Sequence, residues 1–294
     1  MSLTEARTVT EAIRAATILL GPGLLGPGTD TARRDAEMLM AEALGVSRSD
    51  LFLRRMADPV PPAFAGLIAR RAAHEPVAYI RGHQEFFGLH FDVSPAVLIP
   101  RGDSEVLVEV ALAERPDARR LLDCGTGSGA LLLAALSELP GASGIGIDRC
   151  DAALAVAVRN AVGLRLADRA AFALADWHQP GWAAGLGQFD LILANPPYVE
   201  LGADLAPSVR DHEPAGSLFA GSEGLDDYHV LIPQLPALLV PGGLVLLEIG
   251  ATQAQAVTGI AQASGFAVAL HHDLGERPRA LALQIPLGKG AMTA

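Results

Sequence analysis

The residues in this chain best arranged for chemistry are Asn195, Pro196, Pro197 and Tyr198, which end the apolar run "FDLILANPPYV". A core strand that stops on a side-chain amide and two prolines makes a stiff corner, because proline fixes φ and offers no backbone N–H. Such a corner presents two acceptors, the Asn195 side-chain carbonyl and the Pro196 backbone carbonyl, while Tyr198 can stack on a flat group. Two acceptors fixed on the two N–H bonds of a planar NH2 group would orient that nitrogen and aim its lone pair. The lone pair of such a nitrogen is delocalised, so it attacks poorly. Positioning for in-line attack, roughly 7–11 kcal/mol of barrier, is then the main service required, and acceptor preorganisation adds to it. No strong base is needed, since the nitrogen becomes very acidic as it attacks. Asn-Pro-Pro by itself could simply end a strand; residues upstream decide against that.

Upstream, "LLDCGTGSGALLLAAL" reads as a strand, a glycine turn and a helix. Gly125, Gly127 and Gly129 are spaced G-x-G-x-G, unlike the G-x-G-x-x-G of a dinucleotide fold. Glycine lets the backbone turn sharply and approach a ligand closely. The next apolar run, "GIGID", ends on Asp148, placed to accept hydrogen bonds from two ribose hydroxyls. Its alternative duty is to cap the following helix, which Asp151 could do itself. The third run ends on Asp176 and Trp177, an acceptor for an adenine amino group and a cover for the adenine face. No G-x-x-x-x-G-K-[ST] phosphate loop is present. These features select a nucleoside ligand without a pyrophosphate.

The elements that must hold these residues follow from periodicity. From Arg101 onward, the runs "RLLDC", "GIGID", "AFALAD", "FDLILAN", "LVLLEI" and "RALALQI" alternate with helical stretches. That alternation predicts an α/β fold, an open doubly wound, mostly parallel sheet covered on both faces. Ligands in such sheets sit outside the carboxyl ends of the strands, where strand order reverses. Residues 1–75 read as a small helical bundle. One helix ends at "GPGLLGPG", a second is capped by Thr29-Asp30 and stops at Gly45, and a third runs from about Pro62 to His74. Residues 76–100 alternate aromatic and β-branched types around Gly88, which predicts a hairpin connector. The catalytic domain then spans 101–294.

Half of the 294 residues are hydrophobic and the net charge is −11. That composition excludes a disordered chain and argues against a broad, non-specific grip on nucleic acid. Lys289 is the single lysine. Cys124 and Cys150 are too few for a disulfide framework or a cysteine-rich zinc site, and are expected as small buried thiols. No apolar run approaches the roughly 20 residues of a membrane span, and the first residues carry acids where a signal peptide needs a basic patch. A cytoplasmic protein without a membrane partner is expected. His271-His272 has no metal partners at usable spacing.

Taken together, the glycine loop, Asp148 and the Asn-Pro-Pro-Tyr corner resemble a class I S-adenosylmethionine-dependent methyltransferase, a Rossmann-like fold. The resemblance implies S-adenosyl-L-methionine as cofactor and S-adenosyl-L-homocysteine as product. It puts Asp123, Gly125, Thr126, Gly127 and Gly129 around the methionine end, Asp148 on the ribose, Asp176 and Trp177 on the adenine, and Asn195 beside the methyl. The corner leaves the accepting nitrogen open among adenine N6, cytosine N4, guanine N2 and the glutamine side-chain amide.

The flanks narrow it. "EPVAYIRGHQEFFGLHFDVSPAVLIPRGDSEVLVE", "RRDAEMLMAEALG", "VRDHEP", "FAGSEGLDDY", "PGGLVLLEIG" and "DLGERPRAL" resemble the HemK/PrmC family of protein-glutamine N5-methyltransferases over nearly the whole chain. That resemblance implies, as substrate, the glutamine of the Gly-Gly-Gln loop of class 1 peptide-chain release factors. Asn195, Pro196, Pro197 and Tyr198 would hold it, with Arg101, Glu105 and Glu213 at the substrate side. The family commonly reads Arg-Pro-Glu-Thr-Glu where this chain has Arg101-Gly102-Asp103-Ser104-Glu105, which predicts a looser entry loop. The acidic version favours the release-factor branch over its ribosomal-protein sister. His212 stands where an aromatic is usual, and Pro233 interrupts a helical run. A monomer without stable nucleic-acid binding is expected. The alternatives are an adenine N6-type nucleic-acid methyltransferase, which would need a basic groove or base-reading domain, and a non-catalytic scaffold, which would not need Asn195, Pro196 and the glycine loop intact.

Overall fold

The computed structural model describes residues 3–21 and 29–286. The glycine–proline loop at 22–28 and the side-chain cap expected from Thr29 and Asp30 lie outside the described residues. The rest divides into two compact units: residues up to His83 together with Leu205–His212, and Gln84–Asp204 together with the residues from Glu213 on.

The first unit is helical. Helix α1, Val9–Leu19, starts at Thr8, whose side chain accepts from the Glu11 N–H while the Glu11 carboxylate accepts from the Thr8 N–H. This reciprocal box satisfies two donors that a helix start leaves open. Helix α2, Thr29–Leu44, stops at Gly45 with φ +63°, the left-handed turn that glycine allows. Helix α3 covers Phe64–Ala72. Helix α4, Val77–Arg81, corrects the expectation of an extended connector there. Pro76 starts it, Gly82 at φ +79° ends it, and Ile80 joins the apolar core of Val9, Leu20, Leu39, Phe64 and Ile68. Asp35 and Arg71 pair at 2.7 Å with both side chains nearly buried.

The second unit, from Gln84, opens in a hairpin, β1 His83–Phe86 and β2 Leu89–Asp92, of which only His83 is counted with the first unit. Phe87 and Gly88 make its turn, both with positive φ (52° and 71°), the two-residue geometry whose twist matches that of the strands. Helix α5, Glu105–Glu114, follows. Strand β3 is Arg120–Cys124, helix α6 Ala130–Glu138, β4 Ser143–Asp148, helix α7 Asp151–Gly163, β5 Ala170–Leu174 and β6 Phe189–Ala194. Helix α8, Asp226–Leu231, β7 Leu239–Glu248, helix α9 Ala254–Ala263, β8 Ala267–His272 and β9 Pro278–Gln284 complete the unit. Pro233 sits in the first turn of a 3-10 segment, Ile232–Leu238, that prolongs α8. Lacking an N–H, Pro233 cannot continue the α-helical ladder of α8, which ends at Leu231.

Seven strands form one sheet in the order β5-β4-β3-β6-β7-β9-β8. All neighbours run parallel except β9, which is antiparallel to both β7 and β8. The expected mostly parallel sheet therefore has one strand more than the periodicity reading. That strand, β8, is an edge on which only Val268 and His271 are even half-buried, so its sequence "AVALHH" carries no regular burial alternation. Buried strands alternate between two cores, as a doubly covered sheet requires. Leu121, Leu191, Leu193, Leu244 and Leu246 face one layer; Leu122, Ile192, Val245 and Leu247 face the other. Cys124 is buried, but Cys150 is exposed, against the expectation of two buried thiols. It precedes α7 in a loop that the sheet does not cover.

Candidate active site

Strand order reverses between β3 and β6: the chain leaves β3 toward β4 and β5 on one side, then returns to β6 and β7 on the other. Two loops diverge at such a point and leave a crevice. A cavity of about 300 Å³ opens there, lined by the glycine loop, the ends of β4 and β6, and the segment 96–101.

The glycine loop is fixed by the backbone of β4. The N–H groups of Gly125 and Thr126 both donate to the Ile147 carbonyl, at 2.9 and 2.8 Å. Asp148 holds the next turn, its Oδ2 accepting from Gly127 N–H and its Oδ1 from Cys150 N–H, each at 2.9 Å. Both of its oxygens thus have one backbone partner, and the side chain still lines the cavity. Asp151, the other capping candidate, provides no cap: the residue preceding α7 is Cys150, and no side chain caps that helix. Gly125 lies at φ +76°, and a β-carbon there would stand 3.1 Å from Trp177.

Asp123 reaches into the same cavity from the end of β3. Its Oδ2 accepts from the Thr126 hydroxyl at 2.7 Å, while Oδ1 is buried with no partner. Burial pushes the carboxyl up to about 7. A buried carboxylate oxygen without a donor is costly, and a cationic group entering the cavity would remove that cost. Asp176 and Trp177 form another wall. The Trp177 indole N–H donates to Asp227 Oδ1 at 2.9 Å, and Asp176 Oδ1 accepts from His178 N–H, which leaves Oδ2 for a ligand.

On the β6 side, Asn195 and Pro197 line the cavity. The Asn195 Nδ2 group donates to Ser104 Oγ across a long 3.5 Å contact, so Oδ1 is the end left to accept. Tyr198 is fixed elsewhere: its hydroxyl donates to Glu248 Oε1 at 3.2 Å, and burial raises its pKa well above that of free tyrosine. Pro196 is buried beside them. Pro196, Tyr198, Gly129, Glu105 and Glu213 are not among the residues that line the cavity.

Each of the last three has a supporting duty. Gly129 precedes α6 at φ +82°, with Leu133 packed where a side chain would be. Glu105 accepts from the N–H of Phe87 in the hairpin turn. Glu213, 5% exposed, accepts from Ile99 N–H at 3.1 Å and pairs with Arg101. It therefore straps the cavity wall, and Arg101 does line the cavity. His212 is no partner of Glu213: its ring approaches the Ala73 carbonyl within the helical unit, at 3.2 Å.

Several contributing residues escape a sequence reading. Val97 and Ile99 line the cavity from the connector, and only their run "AVLIP" hinted at burial. Asn160, buried on α7, donates to the carbonyls of Ser128 and Asp92 and accepts from Asp92 N–H. It ties the glycine loop to the hairpin. Asp227 and Glu248 lie in stretches whose spelling resembles the family, with no local pattern to reveal their partners.

An open sheet of this order, with a glycine turn after its first parallel strand and acidic residues at the next strand ends, defines a class I methyltransferase fold. Residues 116–255 match the family described as "Methyltransferase domain", and residues 23–82 match "PrmC N-terminal domain". The catalytic domain of hMettl16, solved with an RNA hairpin, shares the fold alone, with TM-score 0.55 at 16% identity over 76% of this chain and 83% of that one. The chain is 43% identical to the release factor glutamine methyltransferase of Cereibacter sphaeroides over 94% of its length and 98% of the relative's. It is 44% identical to that of Moorella thermoacetica over 82% of this chain and 87% of the relative. This chain belongs to the release factor glutamine methyltransferase family. No helix among the described residues is long and apolar enough to cross a membrane.

Proposed function

We propose that this protein transfers a methyl group from S-adenosylmethionine to the side-chain amide nitrogen of a glutamine, the one in the Gly-Gly-Gln loop of class 1 release factors. The observation that carries the reading is the orientation of Asn195. Its NH2 group approaches Ser104 Oγ at 3.5 Å, which leaves the carbonyl oxygen as the acceptor the side chain offers, and the residue lines the cavity shared with Asp123 and Asp148. A site that presents acceptors suits an NH2 group as the incoming nucleophile. The substrate assignment rests on relatives of that name at 40–44% identity across most of the chain.

The cavity residues fit the cofactor. Unpartnered Asp123 Oδ1 suits the ammonium of the methionine end, Asp148 the ribose hydroxyls, and Asp176 with Trp177 the adenine. When bound, S-adenosylmethionine supplies an electrophilic methyl on a sulfonium. Asn195 Oδ1 and the Pro196 carbonyl each take one N–H of the glutamine amide, and the prolines keep both acceptors in place. Fixing both N–H bonds directs the nitrogen's lone pair at the methyl, the positioning contribution worth roughly 7–11 kcal/mol. Arg101, Glu105 and Glu213 support the substrate side, the latter two through the hairpin turn and the cavity wall.

The test is incubation of the protein with labelled S-adenosylmethionine and a class 1 release factor, its Gly-Gly-Gln glutamine→Ala variant, or duplex DNA. Label on the unaltered factor alone is expected. Label on DNA would replace this reading with a nucleic-acid methyltransferase, and label nowhere with a scaffold.

A further inference from the structure

The entry loop at 101–105 carries two residues that line the cavity, Arg101 and Ser104, and Ser104 Oγ lies 3.5 Å from the Asn195 NH2 group. Glycine at 102 gives this backbone wide freedom, yet the loop is tied at three points. Arg101 pairs with Glu213, and Glu105 accepts from the Phe87 N–H. Between them, Asp103 Oδ2 accepts from the Nη2 groups of Arg277 and Arg279, at 3.3 and 3.1 Å. Both arginines also hold Asp273, through Arg277 Nε at 3.1 Å and Arg279 Nη2 at 3.2 Å. Asp273 is fixed by the turn between β8 and β9, its Oδ1 accepting from the N–H groups of Gly275 and Arg277. Two acids and two arginines thus alternate in a closed ring that joins the loop to the start of β9.

We propose that Asp103 is a positioning residue for methyl transfer: its ion pairs with Arg277 and Arg279 hold the 101–105 loop in place, and with it Arg101 and Ser104 at the cavity. Asp103 does not itself line the cavity, so it acts through its neighbours. The ring divides its duties. Asp273 and the turn backbone organise the arginines, and nearly buried Arg279 keeps Asp273 as its partner whether or not the loop is there. Removing the Asp103 carboxyl therefore leaves no buried charge unpaired, and the loss falls on the loop rather than on the sheet. That carboxyl is half-exposed, so its ion pairs are screened and modest. They can bias the loop by no more than their own energy. Such a bias counts at 101–105, because a glycine backbone has little conformational preference of its own.

The role assigned to Asp103 rests on the proposed glutamine methylation, and its test separates the two. Gly102 opens a 3-10 turn, Gly102–Ser104, a place that proline favours. Arg101 before it is extended (φ −104°, ψ 138°), as a residue preceding proline must be, and nothing lies within 4 Å of a β-carbon at 102. Proline there can stiffen the loop without the ion pairs. Hydrogen–deuterium exchange of peptides covering 101–105 reads the turn through the Ser104 N–H, bonded to the Arg101 carbonyl at 3.0 Å. In Asp103→Ala that exchange should quicken, while exchange in β3, β6 and β7 stays as it was. At saturating cofactor, kcat on a release factor should fall about 3- to 10-fold, the scale of one or two half-exposed ion pairs. The melting temperature and the S-adenosylhomocysteine Kd should be nearly unchanged. Gly102→Pro added to Asp103→Ala should slow the exchange again and restore kcat, which it could not do for a residue needed only for its charge. Unchanged exchange in Asp103→Ala, full turnover despite faster exchange, or a protected loop that does not regain turnover would each overturn the proposal. Exchange needs no substrate, so a protein that methylates nothing would sink the functional reading while the hold of Asp103 on the loop is still decided.

Discussion

Trp177 lies against Gly125, with its Cη2 atom 3.1 Å from the position a β-carbon on that glycine would take. The glycine is needed twice over, for its φ of +76° and for the ring beside it. The indole thereby forms a wall of the cavity instead of filling it. Gly125→Ala would strain the loop by roughly 1–3 kcal/mol and displace the ring. Isothermal titration with S-adenosylhomocysteine should show affinity about 5- to 100-fold weaker. Unchanged affinity would mean that the loop does not touch the ligand.

The same wall depends on Asp227, which accepts the Trp177 indole N–H and faces the His178 ring from the same oxygen. Asp227→Ala leaves a buried indole donor without a partner, a cost of about 1–3 kcal/mol. Thermal unfolding should begin several degrees lower, and cofactor affinity should fall because the ring is no longer anchored. Trp177→Phe, which has no N–H to satisfy, should lose little further stability when combined with Asp227→Ala. Additive losses in the double variant would show that the two side chains do not act together.

Acid should weaken cofactor binding through Asp123. Burial raises this carboxyl to about 7 from 3.8, so below neutrality it is largely protonated and has no charge to offer an ammonium. Affinity should therefore rise with pH and level off above about 7, with a slope approaching tenfold per unit on the acid side. The free protein moves the other way. A folded pKa above the unfolded one means that stability falls as pH climbs from about 4 to about 7. Titrations at pH 6 and 7.5 test both signs. Asp123→Asn should flatten each dependence, and a retained slope would assign the effect to another group.

Glu213 presents a different kind of dependence. It is buried while pairing with Arg101 and the Ile99 N–H, so Glu213→Ala leaves a buried donor and an arginine without their acceptor. The expected stability loss is about 1–3 kcal/mol. Because the affected segment walls the cavity, cofactor affinity should fall with it. Circular dichroism melts and the same titration check this, and intact affinity at reduced stability would confine the residue to folding.

How much of this was legible in the sequence depended on distance along the chain. The glycine loop, Asp148 and the Asn-Pro-Pro-Tyr corner could be read because strand–turn–helix chemistry is local and glycine and proline carry their own conformational meaning. The parallel sheet followed from alternation of strands and helices, while its strand order, and with it the switch point between β3 and β6, came only with the resemblance and the structure. The two cores followed too, since the near-continuous apolar strands announce burial on both faces. What stayed hidden was the partner of each polar group. Glu213 reads as a loop acid near the entrance, and its bond to Ile99, over a hundred residues away, leaves no trace in spacing. Tyr198 reads as a stacking ring, yet its hydroxyl is tied to Glu248 across 50 residues. Strand β8 was missed because an exposed edge has no burial rhythm. Val77–Arg81 looked extended because five residues are too few for helical period to outweigh β-branched composition.

The sharpest consequence concerns Asn195. Its side chain lines the cavity, and its NH2 group is engaged by Ser104, so its carbonyl is the group free to act on the substrate. Removing one such preorganised polar contact typically lowers turnover by about 10²- to 10³-fold. Asn195→Ala should show that loss in kcat on a release factor. Cofactor Kd should stay within about threefold, because Asp123, the glycine loop, Asp148 and Trp177 form the other walls. The fold should also survive: the lost bond to Ser104 is long, and the corner is held by Pro196 and Pro197. A variant that fails to bind cofactor while keeping its melting temperature would place Asn195 on the cofactor and leave the glutamine amide to other acceptors.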